Sequence, residues 1–489
     1  MRKRFEQQIT IGRLLIQDTK IPTVKRSGAL PGLCAALKKI FVTPKWNERV
    51  FEILEEQIFS KNNNTGRPGM DLWQIFVLSQ VRLCQNISYD ELHHIANYDT
   101  LIRQLMGIEN ETGYEKTDIG YQSIIDNVGL LTDETVKALN AIIVEFGHEV
   151  FKKKEEEALC LKTDSFVSES NVHFPTDYNL LWDSARKCLD MVTNLQGKHN
   201  LPGWRKLKNW RSDLKNKMRA LGRASASGGK GKQERIKYAA RNYLTKAKAK
   251  ALYAKLETEK PGFPQRDIAD IMIILEPERF MELPDKHIKL VERRIIKGES
   301  IAHSEKMFSI FEQYTEWVTK GKMRPNVELG KKVAITSDQF GLIVDYKIME
   351  HESDSEIVPE LANRILSEHT VKSWSFDKGF WHKNNKELLS ESVETLVLPK
   401  KGKCNKQEYE QEHHPKFIRN RNKHSAIESN INELEHRGLD RCPDKGYMHF
   451  KRYVGFAVSA YNLRKIGAEL IRLTIEKEQR NKVFVKLVA

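Results

Sequence analysis

Residues 204–250 hold sixteen Lys and Arg against two acids, Asp213 and Glu234. They account for nearly all of the chain's formal charge of +15. Charge runs usually mark a solvated helical face, but such faces normally mix signs. A nearly pure cationic stretch repels itself unless phosphates neutralise it. The run carries Trp204 and Trp210 among Arg205, Lys206, Lys208 and Arg211, then Lys215 and Lys217. A flexible patch, Ser225–Lys232, breaks it before Lys237, Arg241, Lys246, Lys248 and Lys250 continue on an Ala-rich helix. The patch is not a phosphate-binding P-loop. No Gly lies five residues before Gly229 or Gly231, and no Ser or Thr follows Lys230 or Lys232. The segment therefore reads as a helical insertion that meets an anionic polymer, between two stretches of different composition.

Those stretches carry the strand signals. Residues 158–167 read as a strand. After about residue 330, Val333–Thr336 and Leu342–Ile348 flank Asp338-Gln339-Phe340-Gly341, a hairpin with Gly in its turn. Ile357, Leu361 and Ile365 form a helical stripe. A strand ending at Asp377, a short helix near Lys386–Leu389, a strand Thr395–Leu398 and a last helix follow. This order is that of an RNase H-like α/β fold with a mixed sheet, provided residues 187–329 are an insertion between the first and second strands. The expected division is a helical N-terminal DNA-binding region over 1–150, a catalytic domain over 157–186 plus 330–480, and the basic helical insertion over 187–329.

Within the N-terminal region, Leu72, Ile75, Phe76, Ser79 and Leu83 follow a 3.6 period, with Asp71 and Gln74 placed to cap. Ser88 with Glu91 makes a second capping box, and a further short helix runs from Thr100 to Met106. Short helices with tight turns suit a helix-turn-helix-like module, but spacing alone favours an ordinary helical bundle.

At 489 residues the length suggests about three domains. No run reaches the ~18 apolar residues of a membrane span. The basic start, Met1–Gln8, has no apolar stretch behind it, so no signal peptide is read. The six cysteines are scattered without a C-x-x-C pair, which argues against zinc ribbons and for free thiols in a reducing cytoplasm.

Three acids, two aspartates expected at strand ends and one helical glutamate, stand where an RNase H-like site needs them. Asp164 follows Ala158–Leu161, Asp377 lies in Ser373–Phe380, and Glu428 sits early in a helix. Each has a plain alternative: a turn cap, a turn opener, a surface helix residue. Together they can hold Mg²⁺ or Mn²⁺, with two ions per site the expected number, because hard cations prefer carboxylates and water. Two ions roughly 4 Å apart serve both the attacking and the leaving oxygen of a phosphodiester. Ile427, Ile431 and Leu434 make a stripe to pack on the sheet, which leaves Glu435 as a competitor of Glu428. Asp177 and Asp183 read as capping or orienting groups, Asp338 and Asp354 as hairpin-turn and helix-start residues, and His413 and His414 as loop residues.

These blocks resemble bacterial insertion-sequence transposases of the DDE class, most closely the ISNCY-like group, over nearly the whole chain. Gly66–Asp71 and Ser88–Leu92 resemble their N-terminal region. Thr163–Ser165 through His173–Asp177, Phe376–Phe380, and His424–Glu428 through Gly438–Pro443 resemble the blocks of the three catalytic acids. Relatives often carry Arg four residues before the glutamate and Lys six after; here these are His424 and Leu434, and Arg421, Lys423, Arg437 or Arg441 are the candidate substitutes. The resemblance implies cleavage of double-stranded DNA at element ends and transfer of the 3′-hydroxyls to a target. It also implies pairing of ends by two or more copies, in a cytoplasmic, nucleoid-associated protein. Arg67, Arg205, Lys206, Lys208, Arg211, Lys215, Lys217, Arg421 and Lys423 are the DNA-binding candidates. The alternatives are a nuclease of the same fold that does not join strands, and a transposase-derived DNA-binding protein.

Overall fold

The computed structural model describes residues 4–5, 14–23, 28–59, 69–108, 118–199, 206–258, 282–319 and 326–488. The chain is mixed α/β. It divides into two compact units, one of residues 1–171 with 318–489, the other of residues 172–317. Arg67 and Arg205, with Trp204 and Gly66, lie outside the described residues.

The first unit is built on one sheet. Its strands are β1 (Leu159–Ser170), β2 (Glu316–Thr319, whose first two residues belong to the second unit), β3 (Val327–Ser337), β4 (Ile343–Ile348), β5 (Val371–Phe376), β6 (Thr395–Val397) and β7 (Arg441–Cys442). β1 is central. It pairs antiparallel with β3, Asp164 opposite Ile335, and β3 pairs antiparallel with β4. On its other side β1 runs parallel to β5, which runs parallel to β6. The hairpin turn is held by Asp338, whose Oδ1 accepts from the Phe340 and Leu342 amides at 2.9 and 2.8 Å. Gly341 there has φ +73°, a left-handed value that a side chain would strain.

Alternation along β1 separates two faces. Leu159 and Leu161 look into an apolar core with Trp374, Phe376, Ile357, Leu361 and Ile365, under the helix Val358–Glu368. Thr163 shares that face. Its hydroxyl meets Thr336 Oγ1 at 2.7 Å and accepts from the Trp374 indole at 2.8 Å, so a polar group is buried without loss of bonding. Lys162 and Asp164 point to the opposite face.

The helices of residues 30–150 belong to this same unit. Leu30–Val42, Leu72–Gln85 and Asp133–Val150 pack on the long last helix, Tyr447–Val488. Asn462 of that helix accepts from the Ile343 amide at 2.8 Å and donates to Asn140 at 2.9 Å, tying β4 to two helices. Ser88 and Glu91 form the reciprocal capping box at the start of Tyr89–Tyr98. Asp71 occupies its N-cap position without a capping hydrogen bond from its side chain. The helix Leu72–Gln85 is buried from Leu72 to Cys84 apart from Gln74. A helix surrounded on all sides cannot lie in a DNA groove, so this segment is a bundle core.

The second unit is helical. Asp177–His199, Leu207–Ala226 and Lys232–Thr258 pack with residues 282–291 around Leu181, Leu214, Leu221, Tyr243, Leu244, Ile288 and Val291. In Leu207–Ala226 the buried residues are Leu207, Leu214 and Leu221, one every seven positions. The cations occupy the remaining faces.

Candidate active site

β5 stays beside β1 only as far as Thr163, whose partner is Phe376. β7 joins β1 from Glu169 onward. Asp164–Ser168 therefore border a gap between these two strands, at the carboxyl end of β5. Asp377 is the first residue beyond β5, in register next to Asp164. The expectation that both aspartates end strands is corrected: Asp377 does, while β1 continues through Asp164 to Ser170. The strand runs on because β3 pairs with it as far as Glu169.

Asp164 is half-buried, and its Oδ1 accepts from the Ser165 amide at 2.7 Å. Burial pushes its carboxyl up to about 6, against the pull of that hydrogen bond, and the like charges of Asp377, Asp354 and Glu428 add to the rise. Glu428 is thus one of the acids that Asp164 senses. It sits exposed in the first turn of the helix Ala426–Leu434, which packs on β1 through Ile427, Ile431 and Leu434. Glu435 follows that helix in a π-type turn. Asp377 is exposed at the N-cap position of Lys378–Phe380, without a capping bond from its side chain, and its carbonyl accepts from the Phe380 amide at 3.2 Å.

Asp354, which the sequence places only at a helix start, does more. Its Oδ1 accepts from Ser165 Oγ at 2.7 Å, and Lys332 Nζ reaches Oδ1 and Oδ2 at 2.7 and 2.8 Å. A Cβ on Gly379 would come within 2.9 Å of Asp354 Oδ2, so the loop after Asp377 closes against this carboxylate only because residue 379 is glycine. Asp354 thereby links β1, β3 and the Asp377 loop. Local pattern gives no sign of this, because its partners lie 189 and 22 residues away in sequence.

The basic groups are equally placed. Lys162, on the Asp164 face, donates to the Asp338 carbonyl at 3.1 Å, and burial pushes its ammonium down. His424 ends the helix Pro415–His424, one helical turn before Glu428. Its Nδ1 lies 3.0 Å from Ser375 Oγ, and its Nε2 is buried without a hydrogen-bond partner. Burial pushes this imidazole down, against the attraction of Asp377 and Glu428. Arg421 and Lys423 are exposed on the same helix. Leu434 is in the core, and Arg437 donates to the Cys84 carbonyl at 2.8 Å and pairs with Glu433, so it has structural work. Asp177 pairs with Arg294, Asp183 with His173, and His414 caps its helix through Lys416.

Carboxylate oxygens are the donors a hard divalent cation selects. Among the described residues, however, no three His, Cys, Asp or Glu side chains stand close enough to enclose a metal ion. The charges of Asp377, Asp354 and Glu428 act on Asp164, and these acids do not make a closed ligand cage. Of the DNA-binding candidates, Lys206, Lys208 and Lys215 are exposed and Lys217 is half-buried on the second unit, and Arg211 pairs with Asp190. No protein family, no curated protein and no solved structure matches the chain. Among the described residues, no helix is long and apolar enough to cross a membrane.

Proposed function

We propose that this chain is a DNA-cleaving and strand-joining enzyme of the DDE transposase kind, with an RNase H-like catalytic core. The strand order β4-β3-β1-β5-β6, antiparallel on one side of β1 and parallel on the other, supports the core. The observation that carries the function is the meeting of Asp164, Asp377 and Glu428 from two neighbouring strands and one helix as a single electrostatic cluster.

Asp164, Asp377 and Glu428 would hold Mg²⁺ or Mn²⁺, with DNA phosphate and water completing the shell that the protein leaves open. Bound there, the cation would neutralise charge on the phosphate and favour a deprotonated oxygen nucleophile. Asp354, through Ser165 and Lys332, fixes the backbone that carries Asp164. Lys162 and His424 border the acids on the helix side, and Arg421 and Lys423 would bind flanking phosphates. Double-stranded DNA is the partner, and pairing of two ends would need two or more copies.

The test supplies DNA carrying the element's ends with Mg²⁺ or Mn²⁺. Cutting followed by joining is the expected result, and Asp164→Asn should lose both while still binding DNA. Cutting alone would mark a nuclease, and binding alone a DNA-binding protein. Full activity of Asp164→Asn, or in excess EDTA, would overturn the site.

A further inference from the structure

The second unit contains a cavity of about 420 Å³ whose lining includes the rings of Phe174, His303, Phe308 and Trp317 together with Asp177. The other three rings contact Trp317. Phe308 lies against it with ring centroids 5.7 Å apart and planes 38° from parallel. Phe174 meets it edge-on at 5.5 Å, and His303 at 6.2 Å. Phe174 is 59% exposed, a large apolar ring left in water beside a slot it helps to form. Arg294 and Lys306 line the same cavity, and Arg294 pairs with Asp177 at 2.8 Å.

Two further lining residues tie the cavity to the cationic helices. Ser225 comes from Leu207–Ala226 and Ile236 from Lys232–Thr258, the two helices that carry the cationic run. An exposed ring, Phe174, beside the half-buried rings of Trp317 and Phe308 and next to cationic helices offers what an unpaired nucleobase requires, because every base has a π-face and its backbone needs cations. The volume falls within the range of small-ligand sites.

We infer that this cavity binds an unpaired nucleobase, stacked on Trp317 and Phe308, while its strand follows the cationic helices. The proposal rests on the reading that the chain binds nucleic acid, and it adds a preference for single-stranded DNA at a defined pocket. No chemistry is assigned to the pocket.

The experiment measures fluorescence anisotropy of the full chain in EDTA, so that no cutting intervenes. The probes are a mixed-sequence single strand, the same strand bearing abasic residues, and a duplex of equal length. Trp317→Ala should weaken binding of the intact single strand by about 5- to 150-fold, the value of one stacked base. Duplex affinity should stay within about twofold, and Trp317→Phe should recover most of the loss, since a second aromatic ring still stacks. Phe174→Ala, at an exposed position where folding is not at stake, should weaken the intact single strand in the same direction. Wild type should prefer the intact strand over the abasic one. Equal losses on single strand and duplex would make the cluster structural and overturn the proposal. Unchanged single-strand binding by both alanine variants would also overturn it, with wild-type DNA binding intact. If wild type bound none of the probes, the nucleic-acid reading itself would fall, and the pocket with it.

Discussion

Burial raises the carboxyl of Asp164 to about 6, and the charges of Asp377, Asp354 and Glu428 add to the rise. The sign of the consequence is fixed. A raised folded-state value means that stability is greatest below the ordinary carboxylate range and falls as pH rises toward and through 6. Without divalent cations the protein should lose up to about 3 kcal/mol between pH 4 and 7 from this group. Asp164→Asn should remove that slope and melt higher than wild type at pH 7, while cleaving nothing. Mg²⁺ or Mn²⁺ should raise the melting temperature of wild type and leave that of Asp164→Asn unmoved. An identical pH profile for the two proteins would show that the charge cluster is unimportant to the fold. The helical pair separates just as sharply. Glu428→Gln should abolish cleavage and Glu435→Gln should keep it, as single-turnover rates on labelled DNA would report, because the charge of Glu428 acts on Asp164 and Glu435 lies in the turn beyond the helix.

At the scale of elements, the cationic helices carry their function on the faces that do not pack. Leu207, Leu214 and Leu221 take the interior of Leu207–Ala226, which leaves Lys208 and Lys215 in water. Changing Lys206, Lys208, Lys215 and Lys217 to Gln should weaken binding to many DNA sequences alike. For every phosphate no longer neutralised, the slope of log affinity against log salt should flatten by about 0.9. A salt titration that matched wild type would reduce these helices to a solvated face. Arg211 is left out of this set because it pairs with Asp190, and its loss would confuse packing with binding. Strands and helices of this kind are legible in a sequence because their signals are local. The Asp338–Gly341 turn, the stripe Ile357–Leu361–Ile365 and the Ser88–Glu91 box each declare themselves within a few residues. The Asp354 link is not local. It depends on Ser165 and Lys332 arriving from other strands and on Gly379 leaving room, none of which any window around Asp354 contains. The same holds for Leu72–Gln85. Its stripe reads as amphipathic, yet helices far along the chain cover its remaining sides.

At the scale of the molecule, the chain leaves the sheet-bearing unit after Asn171 and returns at Val318. The strands on either side of this excursion are hydrogen-bonded neighbours, with Glu169 opposite Gly330. A short flexible linker in place of residues 172–325 would therefore join two chain ends that already lie side by side, at little loop-closure cost. The shortened protein gives up the edge strand β2 and should keep the rest of the sheet and its core. It should also keep all four acids, since Asp164, Asp354, Asp377 and Glu428 belong to the first unit. Its melting temperature should still rise with Mn²⁺, and Asp164→Asn should still cancel the rise. The excision carries off the segment 204–250, with its sixteen cations and two acids, fourteen net charges out of +15. Duplex affinity should fall steeply and its salt dependence should flatten, because the phosphate contacts go with the charge. Cation-dependent stabilisation that vanished with the excised unit would mean that the acids need it to assemble. Duplex affinity that survived excision would move the main DNA contact to the first unit, where Arg421 and Lys423 stand exposed beside the acids.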